Sequence, residues 1–335
     1  MALDLETPWV EKYRPKTFDD IVSQNVAISN LKKFVNSGNM PHMIFSGPAG
    51  TGKTSTALIV ARSLIKEEHY YRNILELNAS DTVRMDYVRT VLKDFTNQSM
   101  NFGGSELKIV ILDEADNIPT QVQQALRRII EITSNRVKFI LMCNYIDKII
   151  DPIVSRCAVF RFVDLPKEKI IERLRYIASQ EKLKIPKNKE KEFYETLYFI
   201  SGGDLRKAIN TMQMSVALEL LTTNNLDINE ILRISGFIDK PTIGKLKKIL
   251  VNGNFVEALE ILKSIEYLDS RNFLRQLLNI ITSFNFDQKQ FGRILAYIGD
   301  IDYRISQGSD ELIQLGAMIA KVVTEIKIMR GEVST

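Results

Sequence analysis

Two short stretches carry residues whose types and spacing point to phosphate chemistry. GPAGTGKT, residues 47–54, fits the pattern G-x-x-x-x-G-K-[ST] throughout. Gly47, Gly50 and Gly52 let the chain curl so that N–H groups converge on phosphate oxygens, with Pro48, Ala49 and Thr51 completing the loop. Lys53 is then placed to reach the outer phosphates, Thr54 offers a hydroxyl to Mg2+, and Ser55 lies in the first turn of a helix whose positive end faces the anion. The second stretch, IVILDEAD (109–116), is an apolar run that ends in acids. Asp113 would hold Mg2+. Glu114 would orient and polarise an attacking water, which turns a nucleotide switch into a hydrolase. The pair of motifs predicts ATP hydrolysis, with ATP and Mg2+ bound by this chain.

Two further polar residues close apolar runs. Asn144 ends VKFILMCN (137–144) and could stand between a γ-phosphate and a water, or merely open the turn NYIDK. Local sequence alone slightly favours the turn. Arg156, in DPIVSRCAVF (151–160), sits in a turn with no evident local partner. Asp151 is five residues back, off the helical pairing distance, and Cys157 and Ala158 offer it nothing.

These residues need a scaffold, and the pattern supplies one. MIFSG (43–47), ILELNA (74–79), LKIVILDEA (107–115) and VKFILMCN (137–144) read as strands buried on both faces. Helical stretches such as KTSTALIVARSLIKEE (53–68) and TQVQQALRRIIEIT (120–133) lie between them. That alternation predicts a doubly wound α/β domain with a parallel sheet over residues 1–163. After Leu165-Pro166 three helical segments follow, over 164–226, broken at Pro186 and at Gly202-Gly203. From 227 to 335 every segment reads as amphipathic helix, ending in DELIQLGAMIAKVVTEIKIM. Periodicity leaves open whether this last part is a core in itself or an oligomerisation surface.

Composition sets the outer limits. The 335 residues suggest two or three domains, and 45% hydrophobic with 26% charged residues is ordinary for a globular protein with real cores. Two cysteines, Cys143 and Cys157, in no C-x-x-C pair, argue against a zinc site or a disulfide framework and fit a reducing interior. Two histidines leave little room for histidine chemistry. The start, MALDLETPWVEKYRP, lacks the apolar core of a signal peptide, and no run approaches membrane-spanning length, so no membrane partner is expected. A net charge of +4 permits a nucleic-acid partner without requiring one.

WVEKYRP (9–15), GPAGTGKT, LNASD (77–81), DEAD (113–116), QQALRR (123–128), CNY (143–145), SRC (155–157), GGDLRKAIN (202–210) and ISQGSDELIQL (305–315) follow one another as in a known family. The chain resembles the small subunits of replication factor C, AAA+ ATPases that load sliding clamps onto DNA, and the archaeal ones most. The resemblance implies an AAA+ ATPase domain over 1–163, a helical lid over 164–226 and a helical collar over 227–335. It implies that Val10, Arg14, Ile21 and Val22 pack around the adenine, that Asn144 is a sensor, and that Arg206 is a second sensor reaching from the lid. It makes Arg156 an arginine finger that serves the neighbouring subunit's site in trans, which would explain its lack of a local partner. The partners implied are a replication factor C large subunit and other small subunits in a hetero-pentamer, the sliding clamp PCNA, and primer–template DNA. The location implied is the cytoplasm or nucleoid of an archaeon, or the nucleus of a eukaryote.

The sequence also departs from the family. After LNASD it runs Thr82-Val83-Arg84-Met85, which displaces the usual arginine by one position. Ala49 replaces a common proline, which should be harmless, and Ser23 stands where glycine is frequent. Arg84, Arg89 and Lys93 lie on one predicted helix, with Arg89 and Lys93 on a common face. The resemblance turns that face toward DNA phosphates, although a solvated basic face explains it equally well. A branch-migration motor would share the P-loop and acids but should end in a winged helix, and this tail shows no β-hairpin signal. A nucleotide-sensing scaffold is opposed by Glu114 and Arg156.

Overall fold

The computed structural model describes residues 7–79, 85–97, 107–221 and 226–333 and, within 85–97, the side chains of 90–96. The chain forms two compact units. One comprises residues 1–183 and 197–213, the other 184–196 and 214–335.

The first unit is built on a parallel sheet of five strands in the order β2-β3-β4-β1-β5. They are β1 (His42–Ser46), β2 (Ile74–Asn78), β3 (Lys108–Asp113), β4 (Val137–Cys143) and β5 (Cys157–Arg161). The four strands expected from apolar runs are present: the one expected over 43–47 lies one residue earlier, and the other three are shortened by a residue or two at their ends. The fifth, β5, was not among them. It lies at the edge beside β1 with only Phe160 buried, so its sequence lacks the continuous apolarity of a central strand.

Helices cover both faces: α1 (Trp9–Lys12), α2 (Asn25–Ser37), α3 (Lys53–Leu64), α4 (Tyr70–Asn73), α5 (Met85–Asn97), α6 (Thr120–Thr133) and α7 (Asp151–Val154). Side chains alternate along β1, and the core follows. Met43 and Phe45 pack with Leu31, Ala57 and Ala61 on the α2–α3 side. Ile44 packs with Leu126, Ile130 and Phe139 on the α6 side. The expected helix over 53–68 stops at Leu64, because Ile65 is extended and buried at 2% exposure. The helix expected over 120–133 has those bounds. The unit also takes in α8 (Lys167–Gln180) and parts of α9 (Glu190–Ser201) and α10 (Leu205–Ala217).

The second unit is helical from residue 227 onward: α11 (Ile228–Ile234), α12 (Lys240–Val251), α13 (Phe255–Lys263), α14 (Ser270–Ile281), α15 (Gln288–Ser306) and α16 (Glu311–Met329). It has its own core, in which Phe273, Leu277, Met318, Ile319 and Val322 are fully enclosed. One carboxylate, Glu325, is buried there. Arg293 grips it through Nε at 2.9 Å and Nη2 at 2.7 Å, and Lys321 reaches it at 3.0 Å. A buried charge survives only with partners of this kind. Among the described residues no helix is long and apolar enough to cross a membrane.

Candidate active site

In parallel sheets, ligands collect at the carboxyl ends of the strands, and the candidate residues converge there. β1 runs into the loop 47–52, which α3 follows. The loop's glycines answer to different constraints. At Gly47 a Cβ would fall 2.0 Å from the carbonyl oxygen of Phe162, so only glycine lets the loop leave beside β5. At Gly50, with φ +70°, a Cβ would fall 1.9 Å from Asp204 Oδ1. Gly52 takes the left-handed region at the start of α3 and caps it with no side chain. The first N–H groups of α3 therefore face the loop with the helix dipole behind them. The Thr51 hydroxyl donates to Pro48 O at 2.8 Å and pins the curl, while Pro48 and Ala49 stay exposed.

Lys53 is 9% exposed and donates to Gly47 O at 2.6 Å, Pro48 O at 2.9 Å and Asn144 Oδ1 at 3.0 Å. Burial pushes its pKa below the ordinary lysine value; Asp113, Cys143 and Asp116 oppose that, and Arg206 reinforces it. Thr54 Oγ1 donates to Asp113 Oδ2 at 2.9 Å, and Asp113 Oδ1 accepts the N–H of Glu114 at 2.9 Å. A hydroxyl and a carboxylate held together are hard oxygen donors of the kind Mg2+ takes. The chemistry of this pair therefore fits that ion. Glu114 adopts φ +53°, a conformation an ordinary side chain holds at a cost of about 1–3 kcal/mol. Its Oε2 accepts from Asn117 Nδ2 at 3.2 Å.

Asn144 is fixed from a direction the sequence did not reveal. Asp116 Oδ2 accepts the N–H groups of Asn144 at 3.1 Å and Tyr145 at 3.2 Å, while its Oδ1 is buried without a hydrogen-bond partner. The fourth letter of DEAD was the only signal for this residue. Gln123 was missed as well. It is 2% exposed, accepts the Ile150 N–H at 2.9 Å, and donates to Ile118 O and Lys148 O at 2.9 Å each. One side chain thereby ties the segment after β3 to the turn after β4.

A cleft opens beside the loop. Gly50, Thr51, Gly52 and Ser55 form its end at the loop; Val10, Arg14, Ile21 and Val22 line it from the amino-terminal side; Leu205, Arg206 and Ile209 line it from α10. Arg206 is seated by Asp204, whose Oδ1 accepts the N–H groups of Arg206 at 2.8 Å and Lys207 at 3.1 Å and so caps α10. Ser23, just past this wall, adopts φ +65°, the region that favours glycine.

Arg156 does not line the cleft, and the expectation that it has no local partner is wrong. Its Nη2 lies 2.7 Å from Glu131 Oε1, and its Nη1 donates to Pro152 O at 2.6 Å. The partner comes from the last turn of α6, a contact that local spacing around residue 156 could not reveal. Arg127, four residues before Glu131, donates to the same oxygen at 2.9 Å. The Arg127 bond first, and then the Arg156 charge, hold the Glu131 carboxyl below its ordinary range. This is a half-exposed surface cluster, worth little as a stabiliser and readily exchanged.

Of the basic residues expected to meet DNA, Arg84 lies outside the described residues, as does the side chain of Arg89. So does most of NQSMNFGGS (97–105), a polar, glycine-rich stretch to which the sequence assigns no role. Lys93 is exposed on α5. Among the described residues no group of three or more His, Cys, Asp or Glu side chains could hold a metal ion by itself.

Comparisons with known proteins extend this picture. Residues 43–165 match the family model of the ATPases associated with various cellular activities, and residues 238–321 match that of the replication factor C C-terminal domain. The chain is 40% identical to replication factor C small subunit of Sulfurisphaera tokodaii, over 99% of this chain and all of that one. It is 42% identical to replication factor C small subunit of Aeropyrum pernix, over 96% and 97% of the two chains. Replication factor C small subunit 1 of Pyrobaculum islandicum is 40% identical over 94% and 93%. Among solved structures, the Thermotoga maritima RuvB Holliday junction branch migration motor superposes with a TM-score of 0.51 at 19% identity, covering 71% of this chain and 79% of that one. That likeness shows the fold alone.

Proposed function

The chain belongs to the replication factor C small-subunit family of AAA+ ATPases, and from that premise we propose that it hydrolyses ATP as one subunit of a DNA sliding-clamp loader. It would act in a hetero-pentamer with a large subunit and other small subunits, opening PCNA and placing it on primer–template DNA during replication. Residues 1–163 would be the ATPase domain, 164–226 the lid and 227–335 the collar. The observation that carries the catalytic part is the Thr54–Asp113 hydrogen bond inside a complete phosphate loop, with Glu114 next in sequence.

ATP would lie along the cleft with its phosphates in the loop and its base among Val10, Ile21, Val22 and Ile209. Thr54 and Asp113 would hold Mg2+, which when bound neutralises charge on the phosphate oxygens. Lys53 would exchange the carbonyls of Gly47 and Pro48 for phosphate oxygens, a favourable trade for an ammonium group already out of water. Glu114 orients the attacking water and accepts its proton. Asn144, fixed by Asp116, would contact the water or the terminal phosphate, and Arg206 would bring positive charge from the lid side. Arg156 would leave Glu131 for the terminal phosphate of the adjacent subunit, so that turnover depends on assembly.

The test is complementation between Lys53→Ala and Arg156→Ala chains, assayed for ATPase with large subunit, clamp and primed DNA. Each mutant alone should be nearly inactive, and mixing them should restore turnover. No recovery in a verified assembly would rule out Arg156 as a finger in trans. Turnover by wild-type assemblies that ignores clamp and primed DNA would remove the clamp-loading reading altogether.

A further inference from the structure

The cleft's amino-terminal wall is not held in place by the sheet alone. The segment over 7–15 is bonded to helices on both sides. Trp9, its side chain wholly buried, donates its backbone N–H to Gln213 Oε1 on α10 at 2.8 Å, and Gln213 Nε2 returns a bond to Thr7 O at 3.3 Å. On the other side, Tyr13 Oη donates to Glu181 Oε1 at 2.5 Å, and Lys12 Nζ lies 2.8 Å from the same oxygen. Arg173, from α8, donates to Tyr13 O at 2.8 Å.

Glu181 stands where local rules disfavour it. It caps the carboxyl end of α8, where the helix dipole repels a carboxylate, and it is only 8% exposed. A buried acid at that end persists because Lys12 and Tyr13 grip it, and removing either grip leaves the charge poorly compensated. Burial, and then the Glu181 bond, raise the pKa of Tyr13 well above the usual phenol value, so the hydroxyl remains a donor. Polar groups 168 positions apart in sequence are thus committed to one contact. Val10 and Arg14 flank the gripped residues and line the cleft, as Tyr13 and Arg173 themselves do.

We propose that Tyr13, Lys12, Arg173 and Glu181 form a staple that fixes the amino-terminal wall against α8, making Tyr13 and Glu181 positioning residues for the base of the nucleotide. This rests on the cleft being the ATP site described above. The wall faces the base end while the loop 47–54 holds the phosphates, so the staple acts on ligands in proportion to their base. Inorganic tripolyphosphate, which has none, should not sense it.

The experiment is calorimetric titration of the full chain with Mg·ATP and, separately, with Mg·tripolyphosphate. Tyr13→Phe removes one hydroxyl and should weaken ATP about tenfold, the loss of one hydrogen bond to a charged acceptor. Tripolyphosphate affinity should stay within about twofold. Glu181→Ala should weaken ATP further, and Glu181→Gln, which can still accept from Tyr13, should recover part of that loss. In turnover assays KM for ATP should rise while kcat at saturation holds. If Glu181→Ala fails to fold, Tyr13→Phe decides alone. Equal losses for both ligands would mean a general structural role and overturn the staple, as would unchanged ATP affinity in a chain that binds ATP normally. Wild-type chain that binds neither ligand would instead sink the nucleotide-site reading, and the staple with it.

Discussion

Each helix from α11 to α16 starts on an Asp or Asn, residues 227, 239, 254, 269, 287 and 310, whose side chain accepts the N–H three positions on. In the sheet unit α2, α3, α6 and α8 start on Gln24, Gly52, Pro119 and Pro166, and none has a side-chain cap. Each unit pairs its buried carboxylate, Glu325 with Arg293 and Lys321 and Glu181 with Lys12 and Tyr13. Each also holds a left-handed non-glycine residue, Glu219 in the helical unit and Glu114 in the sheet unit. The difference therefore lies in the helix starts and not in buried charge or strain. The capped starts satisfy polar groups locally and stabilise each helix on its own. In the sheet unit the start of α3 carries no side-chain cap, and its first N–H groups are left open at the loop 47–52. At α3 the reason is chemical, because a side-chain cap on Gly52 would occupy the N–H groups a phosphate needs.

The largest effect should separate a working acid from a structural one. Glu114→Gln preserves shape and the Asn117 contact, so unfolding by denaturant should shift little. Turnover should fall about 10²–10⁴-fold with ATP binding retained, as expected when a general base is removed. Glu325→Gln should do the reverse, lowering the melting temperature because Arg293 and Lys321 lose their counter-charge, with kcat unchanged. A stability loss at 114 matching that at 325 would break the distinction.

Acid should weaken the sheet unit before the helical one. His42 is 7% exposed, its Nδ1 accepts the Phe139 N–H at 3.2 Å, and burial, with Lys138 nearby, pushes its pKa from 6.5 down to about 4. As pH falls below 6.5 the unfolded chain takes up this proton while the folded chain does not. The contribution is therefore full above pH 6.5 and is lost between 6.5 and about 4, at most about 3 kcal/mol in all. Glu325 behaves differently. Its pKa lies below 4.5, chiefly through the Arg293 bond, so its contribution is present above pH 4.5 and fades only as pH falls through the lower folded value. Trp9 is the single tryptophan and lies in the sheet unit, so its fluorescence follows that unit alone. His42→Gln should flatten the Trp9-detected stability profile between pH 6.5 and 4. An unchanged slope would show that other groups govern that window.

How legible each unit was follows from how local its contacts are. The strands β1, β3 and β4 were readable because central strands are apolar on both faces, and the phosphate loop because its residues are contiguous. The caps at Asp287-x-x-Gln290 and Asn254-x-x-Glu257 are also written within four letters. The Arg156–Glu131 pair, the Asp116 grip on Asn144 and the Tyr13–Glu181 bond join residues 25, 28 and 168 apart, and nothing in their immediate surroundings announces them. Edge strand β5 escaped for a related reason: with only Phe160 of its five residues buried, its apolar signal is too weak to outweigh a turn.

The caps offer a smaller and more direct contrast. Asp287→Ala removes an acceptor from the first turn of α15 and should cost about 1 kcal/mol in chemical denaturation. Pro119→Ala at the same position of α6 removes no cap and should change stability by less than about 0.5 kcal/mol. Equal costs would mean that helix starts in the two units are held by packing alike, and the comparison would lose its basis.

The smallest effect asks whether strain in the sheet unit is confined to where chemistry needs it. Ser23 carries φ +65°, and its carbonyl accepts the Asn25 N–H at 2.7 Å in the turn that leads into α2. A non-glycine residue there costs about 1–2 kcal/mol in the folded state. Glycine would relieve this but lose about 0.5–1 kcal/mol through its freer unfolded chain. Ser23→Gly should therefore raise stability by a few tenths to about 1 kcal/mol, read from Trp9 fluorescence during denaturation. Ile21 and Val22, immediately before it, line the cleft. If ATP affinity is unchanged, the strain at Ser23 is incidental and Glu114 is the strained residue that matters. If affinity falls as stability rises, the turn holds this wall of the cleft under tension, and the sheet unit's departures from local preference extend from the phosphates to the base.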